Sequence, residues 1–351
     1  MSSKAKGRMK KIFNKLFKKN EEPESSRITS DTLADHREKI LAGGRKFKYP
    51  IQYARHRLVI NAIIISVAAL IVVSVVGWWQ IYPSQNTSEF VYRITRVLPL
   101  PVAEIDGQSV LYGDYLMKYL SSVHYLEQKE QVDLKTEDGK RQSKYMKQQS
   151  LDDAIADAYA FKLAGKLDLS VSDVELEAFL KSQRQSDQGE VSNQTYEAVI
   201  ADYYNWSPDE YRYVTKNKLL RQKVAYEIDK NASSAVEKSV SAIAANSAIS
   251  LKNLATDISG QTGLNVTYGV SGWASRFNQD GGLSIEAAKM NKNQISSVVK
   301  PTTGDGYYLV KLLDINDSQV SYEYVHVPLS TFASDFKGVI DAGKVKKYIS
   351  L

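Results

Sequence analysis

The sequence predicts an α+β protein in which an N-terminal single transmembrane helix precedes a helical module and a small antiparallel sheet with helices. A long apolar stretch without charge starts at Leu58, and apolar residues recur at helical spacing in the middle of the chain. Glycine-rich segments with β-branched residues follow Gly260. The predicted parts are a basic tail (1–57), the transmembrane helix (58–82), a linker (83–101), the helical module (102–233) and an α+β domain with a C-terminal segment (234–351).

The composition excludes several kinds of site. The 351 residues include no cysteine, so disulfides, thiolate nucleophiles, zinc knuckles and iron–sulfur sites are excluded. Only four histidines are present, and two of them, His36 and His56, lie in the basic tail. There is no HExxH, P-loop or GxSxG pattern. We therefore expect neither a metal nor a cofactor.

The apolar stretch is long enough to cross a membrane. No charged residue occurs from Leu58 to Ser88, and Val59 to Trp79 is almost continuously apolar. About 20 such residues cross a hydrocarbon core of ~30 Å. A buried core helix is disfavoured by the length and the lack of charge, and a cleaved signal peptide by the 57 residues before the stretch. An uncleaved signal anchor is the better interpretation.

The charges beside the predicted span indicate its direction. Residues 1–57 contain sixteen Lys and Arg against six Asp and Glu, whereas the rest of the chain is net negative. Positive residues next to a span stay in the cytoplasm. The sequence therefore predicts a single-pass protein of the cell membrane with a cytoplasmic N-terminus, whose residues 83–351 are extracytoplasmic. The five nearest basic residues are Arg45, Lys46, Lys48, Arg55 and Arg57.

The basic tail has several interpretations. Its segment "KKIFNKLFKK" places Ile12, Phe13, Leu16 and Phe17 on one helical face among lysines. Such a segment binds anionic lipid, and each lysine near the surface adds about 1 kcal/mol. A disordered tail without a fixed partner and an RNA-binding tail are the alternatives. No array of aromatic and basic residues for stacking bases is present, so we expect no nucleic acid partner.

The middle of the chain reads mainly as helices. The segment "FVYRITRVL" after the linker predicts a short strand, and an Asp106-Gly107 turn joins two more. Ser207-Pro208-Asp209-Glu210 is a strong helix start, and Ser172 with Glu175 forms a capping-box pattern. The aromatic residues clustered here either grip apolar peptide segments or pack between helices: Tyr203, Tyr204, Trp206 and Tyr211.

The last third of the chain changes from helices to strands. Helical spacing continues from Ser234 through "LKNLATDIS", and after Gly260 the chain contains Gly272-Trp273 in a strand-like segment. It then continues as "GGLSIEAAKMNKNQISSVVKPTTGDGYYLVKLLDI" and "VSYEYVHVPL". The last two strands are separated only by "NDS", which predicts an antiparallel hairpin.

These segments resemble, in order and pattern, the parvulin-type peptidyl-prolyl isomerase domain. Upstream, "VAEIDGQSVLYGDYL" is similar to the opening of the chaperone module in extracytoplasmic foldases of the SurA, PrsA and PpiD type. Together the similarities cover residues 102–328 loosely. They imply a helical SurA-N-like chaperone module followed by a parvulin-like antiparallel sheet with helices.

The chain departs from the parvulin pattern in its histidines. The family has two facing histidines on central strands, but here Tyr308 stands at one of these positions, and the usual first strand is absent before the helix near residue 250. "YEYVHVPL" looks like that missing strand, with His326 matching its histidine. The hairpin then either completes a circularly permuted sheet with His326 beside Tyr308 or adds an edge strand with a surface histidine.

The resemblance also implies a set of site residues. Tyr308 and His326 occupy the catalytic positions, and the peptide-binding candidates are Trp273, Phe277 and Met290. We expect a membrane-anchored extracytoplasmic chaperone or foldase that binds unfolded or newly exported polypeptides. An active peptidyl-prolyl cis-trans isomerase is one alternative. A non-enzymatic scaffold subunit of an envelope or secretion assembly is the other.

Overall fold

The computed structural model describes residues 29–48, 50–246 and 248–351. The predicted lipid-binding segment of the tail lies outside these residues. The chain divides into two compact units, one up to Gly77 and one from Trp78 to the C-terminus, and each is described by itself.

The first unit consists of helices α1 (Ser30–Lys48) and α2 (Pro50–Ile81), the latter ending in the second unit. The part of α2 from His56 to Ile81 has a mean hydropathy of 2.9, and its apolar side chains up to Trp79 are exposed. A core helix buries such side chains. Helix α2 is therefore long and apolar enough to cross a membrane, and the buried-helix alternative is wrong.

The second unit opens with the helical module. Its helices and strands, in chain order, are α3 (Glu89–Val97), β1 (Pro101–Ile105), β2 (Gln108–Leu111), α4 (Tyr112–Gln128), α5 (Glu137–Leu167), α6 (Asp173–Gln183), β3 (Gln185–Ser186), β4 (Gly189–Glu190), α7 (Asn193–Tyr204) and α8 (Pro208–Ile228). The predicted capping box is present at the start of α6, and the predicted helix start at Ser207 also forms a capping box, at the start of α8. Asp106 and Gly107 both have positive φ and form the predicted turn between β1 and β2.

The short strand predicted for "FVYRITRVL" is wrong, because this segment forms helix α3. The Ser88 side chain caps the helix by accepting a hydrogen bond from the Val91 N–H. Val91 and Thr95, one helical turn apart, are both buried. The helix cap and the burial of this pair favour the helix more strongly than the alternating β-branched residues favour a strand.

The remainder of the unit is the α+β part. Helices α9 (Lys230–Ala245) and α10 (Leu251–Thr262) are followed by β5 (Thr267–Ser275), α11 (Leu283–Ala287), β6 (Gly306–Ile315) and β7 (Gln319–Pro328). The antiparallel sheet has the order β5-β7-β6. Helices α9 and α10 cover one face of it through a cluster that includes Leu254, Ile258, Leu309 and Val325. Because β7 is the central strand, the edge-strand alternative is wrong.

The C-terminal segment returns to the helical module instead of staying with this sheet. It forms helix α12 (Thr331–Asp341) and strand β8 (Val345–Lys347), and β8 pairs antiparallel with β1. Phe332 and Phe336 contact the ring of Tyr159 in the core of the module. The predicted bounds placed this segment in the α+β domain, but two of its packing partners, Tyr159 and strand β1, lie more than 150 residues earlier in the sequence.

A buried carboxylate fixes the point where the chain turns back. Asp229 is fully buried and caps α9 by accepting the Ala232 N–H at 2.9 Å. Its other oxygen accepts the N–H groups of Ser330 at 2.7 Å and Thr331 at 3.0 Å. Burial alone raises the pKa of this carboxyl, but these hydrogen bonds more than offset it and the pKa is lowered. Asp229 thus joins the α8–α9 junction to the start of α12.

Candidate functional site

The helical module contains a large open cavity of about 610 Å³. Its walls come from α4, α5, the end of α7 and α8. About half of the lining residues are apolar or aromatic and the others are polar or charged, so the cavity offers both apolar surface and hydrogen-bonding groups. The apolar and aromatic residues are Tyr125, Leu126, Met146, Tyr204, Trp206 and Val214.

The loop between α7 and α8 places two aromatic rings at this cavity. Asn205 ends α7 in the left-handed conformation (φ 55°), and Ser207 starts α8 as its N-cap. This reversal stacks Tyr204 on Trp206 with ring centroids 4.9 Å apart. Neighbouring rings extend the row on both sides, at 6.4 Å from Tyr203 to Tyr204 and from Trp206 to Tyr211. The aromatics therefore pack against one another, as one alternative expects, and Tyr204 and Trp206 also line the cavity. Their binding of peptide segments stays a prediction.

The indole of Trp206 has an unused hydrogen-bond donor. Its Nε1 is buried and has no partner among the described residues. A second cavity, of about 340 Å³, shares Ser121, Tyr204 and Trp206 with the first. A buried N–H without a partner costs free energy, and an incoming carbonyl oxygen removes this cost. The site therefore combines apolar volume with an indole N–H that has no partner among the described residues. Because this nitrogen is buried, a peptide carbonyl reaches it only if the Trp206 ring turns.

A cluster of half-buried charges supports the cavity. Lys118 on α4 lies 2.8 Å from Asp157 on α5 and also contacts Asp153, which lines the cavity with it. Arg221 on α8 lies 2.7 Å from Asp153 and 2.9 Å from Asp157. Burial raises the pKa of Asp153, but the charges of Lys118 and Arg221 outweigh this and lower it. The cluster holds three helices in register around the cavity.

Tyr308 and His326 meet on the sheet. They are direct cross-strand partners on β6 and β7, and their rings stack with centroids 4.4 Å apart. The Tyr308 hydroxyl donates to Asp305 Oδ2 at 2.8 Å, and His326 Nε2 lies 3.7 Å from the same oxygen. Burial, followed by the hydrogen bond to Asp305, raises the pKa of Tyr308, so its hydroxyl stays protonated at neutral pH.

Gly306 allows this close approach. A Cβ at this position would lie 2.6 Å from His326 Nε2 and 2.2 Å from the Val327 carbonyl oxygen. Any other residue there would displace the imidazole or the strand. Gly306 is thus required for the close packing of His326, and the sequence around it does not indicate this requirement.

The other predicted site residues are only partly brought together. Met290 packs in a cluster that also holds Tyr308 and Tyr324. Trp273 pairs with Ser321 on β7, an odd number of residues from His326, so it lies on the opposite face of the sheet. Phe277 lies in the turn after β5, where its N–H donates to Ser275 Oγ. Trp273 therefore does not join the Tyr308–His326 pair.

Sequence reasoning missed two features of these sites. Lys118, Asp153, Asp157 and Arg221 are not among the predicted site residues, although the i, i+4 spacing of the two aspartates on α5 indicates a shared helix face. Asp305 is not among them either. Among residues 29–48, 50–246 and 248–351 no group of three or more His, Asp or Glu is placed to hold a metal ion.

Comparison with known proteins gives one match. Residues 52–225 match the family model described as the SurA-like N-terminal domain. No curated protein and no solved structure matches the chain significantly. The match runs from α2 into α8 and includes the residues of the cavity, the stacked aromatics and the charge cluster. Residues 52–225 are therefore similar to the SurA-like N-terminal domain, which supports a relation to the SurA, PrsA and PpiD family.

Proposed function

We propose that this protein is a membrane-anchored, extracytoplasmic chaperone that binds unfolded or newly exported polypeptides. One observation carries the proposal: the SurA-like N-terminal domain holds an open cavity of about 610 Å³ beside the stacked pair Tyr204 and Trp206. A chaperone must bind many sequences, and apolar volume with aromatic walls is tolerant of sequence.

The chemistry of the cavity fits an extended segment of an unfolded chain. An apolar client side chain entering the cavity gains about 25 cal/mol for each Å² of apolar surface that is buried. The free Trp206 N–H donates to a client carbonyl, which every peptide unit offers. Binding therefore depends on the main chain and on general apolarity, not on one sequence.

The anchor supplies the place of action. Helix α2 has the length and composition of a membrane span, and basic residues crowd its N-terminal flank. In this arrangement the tail faces the cytoplasm and the cavity faces the compartment that newly exported chains enter. The tail then lies against anionic lipid on the cytoplasmic side.

Binding of clients is tested with the full chain in lipid nanodiscs. We expect it to slow the aggregation of a chemically unfolded protein, measured by light scattering, at substoichiometric to equimolar amounts. Crosslinking in cells separates the chaperone from the scaffold alternative. Many weakly occupied clients support the chaperone, whereas one stoichiometric partner and no effect on aggregation contradict it.

A second candidate function is prolyl isomerisation at the Tyr308–His326 pair. The reaction needs no covalent step, only a pocket that favours the twisted amide over a barrier of about 20 kcal/mol. The stacked rings, a protonated Tyr308 hydroxyl and the Asp305 carboxylate place donors and an acceptor side by side. The peptide-binding roles of Met290 and Phe277 belong to this proposal.

If the pair is catalytic, Tyr308→Ala and His326→Ala should each lower kcat/KM for a proline peptide by about tenfold or more. The assay follows cis-to-trans conversion with the full chain in nanodiscs. Tyr145→Ala, which removes an exposed tyrosine of the helical module, should leave the rate unchanged. An unchanged rate in both site variants, or no acceleration by the wild type, removes the isomerase candidate.

A further inference from the structure

Helix α3 exposes a stripe of apolar side chains, which we call the α3 stripe. Phe90, Ile94 and Val97 are 72%, 37% and 80% exposed, and Leu98 directly after the helix is 50% exposed. Their spacing of four and three residues puts the three helical members on one face. Single exposed apolar residues are ordinary, but a contiguous stripe on a short amphipathic helix indicates an interaction surface.

The opposite face of α3 is fixed to the helical module, so the helix cannot roll to bury the stripe. Val91 and Thr95 are buried, and the Tyr92 hydroxyl donates to Glu210 on α8. The backbones also approach closely, because a Cβ on Gly113 of α4 would lie only 2.8 Å from the Thr95 carbonyl oxygen. The stripe is therefore presented outward by a rigidly held helix.

The C-terminal end of α2 is held against the same module, beside α3. Ile81 is buried in one cluster with Val91 and Tyr112, and the Tyr112 hydroxyl donates to the Ile81 carbonyl at 3.0 Å. Tyr82 donates to the Pro101 carbonyl at 2.8 Å. Within this unit, α3 therefore lies next to the last turn of the helix that has the character of a membrane span.

We propose that α3 lies in the membrane interface and inserts its stripe into the boundary between headgroups and acyl chains. Interfacial helices combine such an apolar face with basic residues at its border, here the exposed Arg93, whereas Arg96 faces the module and lies over the Tyr213 ring. The proposal rests on the membrane anchoring put forward above. It makes α3 a second membrane contact that fixes the orientation of the helical module to the lipid surface.

A lipid surface suits the stripe better than a client segment. Phe90, Ile94, Val97 and Leu98 line neither of the two cavities at Trp206, although Glu89, Tyr92 and Arg93 line the smaller one. The stripe is thus a convex helix face without a pocket for individual side chains. The short connection of residues 82–88 also keeps it close to where α2 leaves the bilayer.

The chain has no cysteine, so single-cysteine variants test the proposal in the full-length protein. Val97→Cys and Val174→Cys form a matched pair, because both valines are 80% exposed and lie in helices of the same module. Val72→Cys reports on the span itself. Each variant carries a nitroxide and is reconstituted in vesicles of mixed neutral and anionic phospholipid. Accessibility to oxygen and to a water-soluble nickel complex is then measured by electron paramagnetic resonance.

We expect the oxygen-to-nickel accessibility ratio at residue 97 to be several-fold higher than at 174 and to approach the ratio at 72. Equal ratios at 97 and 174, with 72 in the bilayer, overturn the inference while leaving the anchor intact. If residue 97 becomes protected from the nickel complex only after an unfolded protein is added, the stripe binds clients. That outcome also overturns the inference. A water-exposed label at 72 contradicts the anchoring and this inference together.

Discussion

Replacing Trp206 by alanine is expected to weaken client binding by roughly 30-fold, equivalent to about 2 kcal/mol. The change removes the ring that stacks on Tyr204 and the only donor of the indole, so both the apolar wall and the hydrogen bond to a client carbonyl are lost. Binding is measured by fluorescence anisotropy of a labelled unfolded protein titrated with the full chain in nanodiscs.

Two further variants separate a local effect from misfolding. Tyr204→Ala removes a more exposed ring of the same wall and should weaken binding by about tenfold with an unchanged melting temperature. Tyr145→Ala removes an exposed tyrosine outside both cavities and should bind clients like the wild type. Equal binding by all three variants would show that clients bind elsewhere.

Replacing Lys118 by methionine is expected to lower the free energy of unfolding by about 1.5 to 3 kcal/mol, the usual contribution of hydrogen bonds to charged groups. Asp153 and Asp157 would then share a single cation, Arg221, in a half-buried site. Urea unfolding followed by circular dichroism measures the effect. Lys140→Met is the matched control, because it breaks an exposed ion pair with Glu137 and should cost at most about 0.5 kcal/mol.

The cluster also gives a pH dependence with a definite sign. Because folding lowers the pKa of Asp153, its contribution to stability is present above the ordinary pKa of an aspartate and is lost as the pH falls through the folded-state value. The difference in stability between wild type and Lys118→Met should therefore narrow on acidification. A cost of less than 1 kcal/mol at neutral pH, equal to that of Lys140→Met, would contradict the role given to the cluster.

The sequence predicted features whose causes are local. The uncharged apolar run specifies α2, and the side chains of Ser172 and Ser207 start α6 and α8 through hydrogen bonds within one helical turn. The Asp106-Gly107 turn needs only two residues with positive φ. In contrast, β8 pairs with β1 across more than 200 residues, and no local pattern in "KVKKYISL" indicates that partner.

The candidate sites were likewise predictable only where their causes are local in the sequence. The hairpin placed His326 beside Tyr308 because its register follows from a short loop. The position of Trp273 was not predictable, since the irregular pairing between Val270 and Trp273 shifts the strand register. The aromatic residues near Trp206 were visible in the sequence, but the cavity beside them depends on how Lys118 and its partners hold three helices in register.

The most direct test of the central claim is the side of the membrane on which the helical module lies. The single-cysteine variants Val174→Cys and Ser25→Cys are treated with a membrane-impermeant maleimide in intact cells, or in spheroplasts of cells that have an outer membrane. We predict labelling of residue 174 without permeabilisation and of residue 25 only after it. Labelling of residue 25 alone in sealed cells would place the cavity in the cytoplasm and contradict a role in handling newly exported chains.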